Sequence, residues 1–282
     1  MRSADPLRDA AALWDIALPS RPDRLPGISM AGFRGRTGDH IDIRVVPYPA
    51  VTVFVDFGDA LLIDAGGGRR QRGTVVVGLA PTGVWGRGRD IDCLQIRLSP
   101  VVAHAALGAA TELNATVTAL DDFWGTDAAR VREQLHAARG WDERFAVAAA
   151  AVVRRYRAGR RVDPEIAFAW DRMVASRGQI RIDRLATELG WSRKRLWSRF
   201  RAQVGLTPKH AAQLVRFDHA AHRLAGGVSA AAVAAESGYT DQSHLHRDVM
   251  TFAGVTPAAV AVAPWLAVDD VAWSAPERSF AH

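Results

Sequence analysis

The sequence predicts an α+β chain of two unlike parts, an antiparallel β-rich unit followed by an all-α unit. Three observations predict it. Across residues 41–98 the apolar residues alternate or fall in short β-branched blocks. After Pro100 their spacing turns helical, and in the last third an eight-residue pattern recurs 48 positions downstream. A length of 282 residues allows about two domains, and 49% hydrophobic against 23% charged residues is the balance of a folded chain rather than a disordered one.

The β-rich part is read from Ile41-Asp42-Ile43-Arg44-Val45, Val51-Thr52-Val53-Phe54-Val55, Leu61-Leu62-Ile63, Val75-Val76-Val77 and Cys93-Leu94-Gln95-Ile96-Arg97-Leu98. Period-two patterning puts alternate side chains on opposite faces of a sheet. Gly58-Asp59, Gly66-Gly67-Gly68 and Pro81-Thr82-Gly83 supply the turns between them. Short strands with no helix between them predict a sandwich or a barrel.

This part offers little chemistry. Asp56, Asp59 and Asp64 sit beside glycines, which favours turn capping over a paired carboxylate. Gly66-Gly67-Gly68 lacks the Lys-Ser/Thr of a phosphate loop. His40 and His104 do not make a metal-ligand set, and Cys93, the only cysteine, is read as a buried structural thiol in a reducing compartment. No catalysis, cofactor or metal is expected.

Helices are predicted at 101–107, 127–138 and 142–156, the last with Asp142 as N-cap and Arg154, Arg155 and Arg157 at its C-terminal end, where they suit the helix dipole. The arginine-rich run 154–161 leads through Gly159 to Asp163-Pro164 and is read as a solvated boundary in preference to a contact with DNA backbone. The expected division is therefore 1–125 for the β-rich unit, 126–162 for a helical linker region, 163–262 for the all-α unit and 263–282 for a tail.

Asp163 and Pro164 open the all-α unit as N-cap and N1. Then Leu185-Ala186-Thr187-Glu188-Leu189-Gly190-Trp191-Ser192 is echoed by Val233-Ala234-Ala235-Glu236-Ser237-Gly238-Tyr239-Thr240. In each copy a glycine ends one helix and a hydroxyl residue two positions on caps the next, which is a helix-turn-helix. The second helix of copy one buries Leu196, Phe200 and Val204; that of copy two buries Leu245, Val249 and Phe252. Their outward faces present Arg193, Lys194, Trp197, Ser198 and Arg201, and Gln242, Ser243, His246 and Arg247, side chains able to bind phosphates or read base edges. Trp197 lies one position off the apolar stripe, so both edge packing and contact with a base methyl or sugar fit it. Gly205-Leu206-Thr207-Pro208 and Gly254-Val255-Thr256-Pro257 close the copies, and a helix from Pro208 to about Leu224 is long enough to hold the two reading helices about one DNA turn (~34 Å) apart.

On these motifs, above all Gly238-Tyr239-Thr240-Asp241-Gln242-Ser243-His244-Leu245 and Gly254-Val255-Thr256-Pro257, residues 164–260 resemble the DNA-binding domain of AraC/XylS-type transcriptional regulators. The resemblance implies groove contacts at Lys194, Trp197 and Ser198 and at Gln242, Ser243, His244 and Arg247. Ser198 stands where the family often has Arg, and Val249 where an aromatic core residue is usual. The β-rich half is similar to the sensory domains of such regulators, including cupin-like ones; Leu120-Asp121-Asp122-Phe123-Trp124-Gly125 carries part of that likeness.

Charge agrees with this division. The net +6 is uneven: residues 164–260 hold 13 basic and 8 acidic residues, and residues 1–163 hold 22 and 19. The expected protein is a cytoplasmic transcription factor without a membrane segment. Its expected partners are double-stranded DNA in two successive major grooves and, at the first domain, a small-molecule effector or a second copy of the chain, with RNA polymerase a further candidate. A small-molecule enzyme fused to the DNA module, and a purely dimerising scaffold, are the alternatives.

Overall fold

The structure, a computed structural model of the chain, describes residues 13–20, 25–36, 40–45, 47–59, 61–64, 70–79, 84–108 and 117–273. Gly66-Gly67-Gly68 and Pro81-Thr82-Gly83, expected as turns, lie outside the described residues. Among those described, ten strands form two antiparallel sheets. The larger runs β1 (Trp14–Ala17), β2 (Ile28–Gly35), β9 (Asp92–Leu98), β4 (Val51–Asp56), β7 (Val75–Val77), β10 (Val117–Ala119). The smaller runs β3 (Ile41–Val45), β8 (Val84–Gly88), β5 (Leu61–Asp64), β6 (Arg70–Arg72).

Register sorts the larger sheet into two faces. Met30↔Ile96↔Val53 and Gly32↔Leu94↔Val55 are cross-strand rows of one face, and these side chains form a core with Trp124, Leu135, Phe145, Ala148 and Ala151 from the helices that follow. Full burial of such an aliphatic side chain is worth roughly 1.5–3 kcal/mol. The rows Phe33↔Cys93↔Asp56, Ala31↔Gln95↔Phe54 and Ser29↔Arg97↔Thr52 make the opposite face. There Phe54, Val75 and Val77 meet Val84 of the smaller sheet, so the two sheets pack as a sandwich. Cys93 is buried on this face, and burial pushes its thiol up to about 12.

Four helices complete this part, the first of them between β9 and β10. In α1 (Pro100–Leu107) Ser99 Oγ accepts the Val102 N–H, and burial pushes the imidazolium of His104 down. The short α2 (Asp121–Trp124) precedes α3 (Thr126–Ala137) and α4 (Trp141–Ala158). The helices expected over 126–162 are therefore present, and they lie on the sheet: Ala128, Val131, Leu135, Ala148 and Ala151 are part of its core. The N-cap of α4 is Gly140, not Asp142, which sits inside the first turn; Glu143 instead accepts the Arg139 N–H at 2.8 Å. Trp141 lies flat on β2, where a Cβ on Gly32 would run into its ring. The arginine run is only partly solvated: Arg155 donates to the Phe123 carbonyl and approaches Asp127 at 3.5 Å.

The expected turn aspartates behave as such. Asp56 Oδ1 accepts the Gly58 N–H, and Asp59 Oδ1 accepts those of Arg89 and Asp90. The side chain of Asp64 is outside the described residues. His40 Nδ1 lies 3.3 Å from the Gly88 carbonyl.

The all-α unit runs through α5 (Pro164–Ala175), α6 (Ile182–Glu188), α7 (Arg193–Val204), α8 (Pro208–Ala225), α9 (Ala230–Glu236), α10 (Gln242–Ala253), α11 (Pro257–Ala261) and α12 (Pro264–Ala272). Its axis is α8, which buries Ala211, Leu214, Phe217, Ala220 and Leu224. Phe217 stacks on Phe252 of α10 with centroids 5.1 Å apart, fastening the second copy to that axis. No helix of the described residues is long and apolar enough to cross a membrane.

Candidate nucleic-acid interface

Each repeat closes its turn with a left-handed glycine, Gly190 at φ +64° and Gly238 at φ +70°, a conformation that costs a side-chain-bearing residue energy. The following helix starts differently in the two copies. Ser192 caps α7 by accepting the Arg195 N–H at 3.2 Å. In copy two the cap is not Thr240 but Asp241, one residue later, accepting the His244 N–H at 2.7 Å. That extra residue carries the longer spacing from Gly238 to the α10 core. Thr207 and Thr256 cap α8 and α11.

Leu196, Phe200 and Val204, and Leu245, Val249 and Phe252, are buried, which turns the complementary faces outward. On α7, Arg193, Lys194, Trp197, Ser198 and Arg201 are all exposed, on one face at successive one- and three-residue steps. Trp197 is 46% exposed and the Arg201 guanidinium lies 5.2 Å from its ring, so its place is on the outer face and not in the packed edge. On α10, Gln242, Ser243, His246 and Arg247 are exposed. His244 is half-buried and tied to the turn: its Nδ1 accepts the Thr240 N–H at 3.4 Å, and its ring stands edge-on to Tyr239.

The charge on α7 is unusual for a helix. Arg193, Lys194 and Arg195 occupy its first turn, which holds no acid, so three cations sit at the positive end of the helix dipole. Such placement destabilises an isolated helix. It is favourable once an anion arrives, because the free N–H groups and the cations then act together on it. Arg199 is not free for this purpose; it makes a two-pronged pair with Asp163 at 2.8 and 3.1 Å, and Gln203 Oε1 accepts the Asp163 N–H. Asp163, expected as a side-chain cap for α5, makes no cap bond.

Several fastening residues escape a search for outward groups. Glu188 and Glu236 are equivalent in the two copies, and each is gripped by an arginine of the preceding long helix: Arg172 at 3.1 and 3.2 Å, Arg223 at 2.9 and 3.1 Å. Hydrogen bonding from Arg172 pulls the Glu188 pKa below its usual range. The repetition of Glu in the aligned octets is the signal that would have found them. In copy two Arg216 of α8 also pairs with Asp248 of α10 at 2.8 Å, both largely buried, with its guanidinium 4.2 Å from the Tyr239 ring.

In the β-rich unit a narrow gap of about 10 Å³, the room of one water, lies between sheet and helices. Its walls are apolar, among them Val53, Ile96, Trp124 and Leu135, with Thr74 and Arg132 as the polar exceptions. The Thr74 hydroxyl is buried without a partner, and Arg132 reaches Asp121 at 3.2 Å.

A family model described as a helix-turn-helix domain matches residues 185–261. Comparison with curated proteins gives no match. Among solved structures, the chain is similar to ToxT from Vibrio cholerae O395, with 13% identity over 85% of this chain and 99% of that one and a TM-score of 0.46. It is also similar to the C-terminal domain of AraT, a response regulator from Geobacillus stearothermophilus, with 20% identity over 36% of this chain and 87% of that one and a TM-score of 0.34. A third similar structure is the AraC-like transcriptional activator CuxR, at 16% identity over 70% of this chain and 85% of that one, with a TM-score of 0.26.

Proposed function

We propose that this chain, whose residues 185–261 match a helix-turn-helix family model, is a sequence-specific DNA-binding transcriptional regulator of the AraC type. The observation that carries this reading is the outward face of α7, with Arg193, Lys194, Trp197, Ser198 and Arg201 exposed together and no acid in its first turn. We assign these residues, with Gln242, Ser243, His244 and Arg247, to the DNA contact. The cations and helix termini bind phosphates, and Gln242, Ser243 and Arg247 are of the types that hydrogen-bond base edges in the major groove. The working division keeps 163–262 for DNA and 1–125 for sensing or dimerisation, joined by 126–162.

For the β-rich unit we propose small-molecule sensing. The gap between sheet and helices, lined by aliphatic groups with one arginine and one hydroxyl, has room for one water, so an effector would enter only if the helices move off the sheet. A homodimer and a contact with RNA polymerase are further proposals, as is a cytoplasmic location.

Selection of duplexes from a randomised library by the full chain tests the reading. We expect an enriched site spanning two successive major grooves, with binding that falls steeply as salt rises. Failure to enrich any duplex, or binding indifferent to salt, would overturn it.

A further inference from the structure

The helix beyond the matched residues, α12, keeps a foot in the helical core, where its Leu266 is buried with Val260 of α11 and Leu224 of α8. It returns to the β-rich unit and packs against β1, β3 and α8. Its Ala272, together with Val268 and Trp273, packs with Ala31, Phe33 and Cys93 on the face of the larger sheet turned away from α3 and α4. At the centre of that face, Arg97 donates from Nη2 to Asp269 Oδ1 at 2.8 Å, with side chains 13% and 3% exposed. The guanidinium is held between two rings, Tyr48 at 3.6 Å and Trp273 at 4.0 Å. The second carboxylate oxygen of Asp269 faces His222 Nε2 of α8 at 3.5 Å, while His222 Nδ1 donates to the Asp218 carbonyl at 2.8 Å.

Asp269 thus sits between a cation of the β-rich unit and a cation of the axis that carries both reading helices. Two details distinguish this contact from ordinary packing. Its centre is a buried ion pair, which costs desolvation that a hydrophobic contact does not, and such pairs are best attested where a contact selects one arrangement over another. Two polar atoms in it are also buried without a hydrogen-bond partner, Arg97 Nε and Trp273 Nε1. Each is a cost that release of the helix would relieve.

We propose that α12 is an intramolecular strap, docked through Arg97–Asp269–His222, and that its docking sets how the two reading helices meet DNA. The proposal rests on the DNA-binding reading. With the strap docked, the helical unit is anchored to the β-rich unit at two places, through α1 against α5 and α7 and through α12 against β1 and β3. Release leaves one anchor. Any event in the sheet that favours one arrangement must then alter DNA affinity, and DNA must alter strap docking by the same factor.

The test uses the full-length chain and its Arg97→Gln, Asp269→Asn and double variants, with His222→Gln releasing the strap from the axis side while Arg97 and Asp269 both stay in place. Hydrogen exchange of amides 265–273 should accelerate at least threefold in each single variant, and the double variant should add less than the sum of its parts. Affinity for a duplex selected by the wild-type chain should shift at least threefold, in one direction, in all of them. Circular dichroism identifies a variant that fails to fold, and His222→Gln then decides. Exchange accelerated less than threefold overturns the strap, and accelerated exchange with an affinity shift below threefold overturns its control of DNA binding. If the wild-type chain selects no duplex, the DNA-binding reading itself fails while exchange still judges the strap.

Discussion

Arg216 and Asp248 join the axis helix to the second reading helix, and their exposures of 14% and 12% make the pair costly to break. Asp248→Ala is expected to lower stability by about 3 kcal/mol, read from urea midpoints, because it leaves Arg216 buried without its counter-charge. Arg247, one position away but exposed, should behave in the opposite way. Arg247→Ala is expected to leave the urea midpoint unchanged and to weaken specific DNA binding by about 1–3 kcal/mol, measured by titration of the selected duplex. The two turn glycines also separate. A Cβ at Gly190 meets open space, so Gly190→Ala should cost about 1 kcal/mol of backbone strain alone. At Gly238 the Cβ would also press on Gln179 at 3.1 Å, so the same change there should shift the midpoint further.

Legibility differed sharply between elements. The repeated helix-turn-helix could be read because its turn must carry a left-handed glycine and its second helix must bury a stripe, and both requirements leave marks at fixed spacing. The cap of α10 was misplaced by one residue because Thr240 and Asp241 are both good caps, and only the register of Leu245 and Val249 decides between them. The strand β2, Ile-Ser-Met-Ala-Gly-Phe-Arg-Gly, was missed: its glycines weaken any strand propensity, and Gly32 is there to accept a ring from another element. The return of α12 onto the sheet was likewise hidden, since the partners of Asp269 lie at Arg97 and His222 and no local pattern joins them. A pH dependence belongs to this contact. Burial alone would push the His222 imidazolium down, but the carboxylates of Asp269 and Asp218 reverse that and hold it up at about 9. The folded chain therefore keeps a proton that an unfolded histidine releases near 6.5. Its stabilisation is full below that pH and lost as pH rises through about 9. Asp218, which burial pushes up to about 6, is already ionised over most of this range. Thermal melts should accordingly show a midpoint falling between pH 7 and 9.5, with the fall absent in His222→Gln.

At the scale of the whole molecule, charge and shape divide the work. The 13 basic residues of 164–260 include five on α7 alone, and one of them, Arg199, is spent on Asp163. Phosphate binding by the rest predicts a linear fall of log affinity with log salt whose slope lessens by about one for each cation removed. Arg193→Ala and Lys194→Ala, measured between about 50 and 200 mM salt, should each show that smaller slope. The β-rich half was legible as a sandwich or a barrel but not as a partner of the helical half, because α1 against α7 and α12 against β1 and β3 are tertiary choices made between distant segments.

The unequal starts of the two reading helices have a consequence for the DNA itself. Ser192 and Asp241 begin their helices at different distances from the turn glycine, and the faces they introduce differ, arginine-rich in one and amide, hydroxyl and imidazole in the other. A single chain therefore presents a head and a tail to the double helix. Its site is expected to be a one-way sequence without mirror halves, so that turning the site end for end relative to a gene would point the β-rich half the other way.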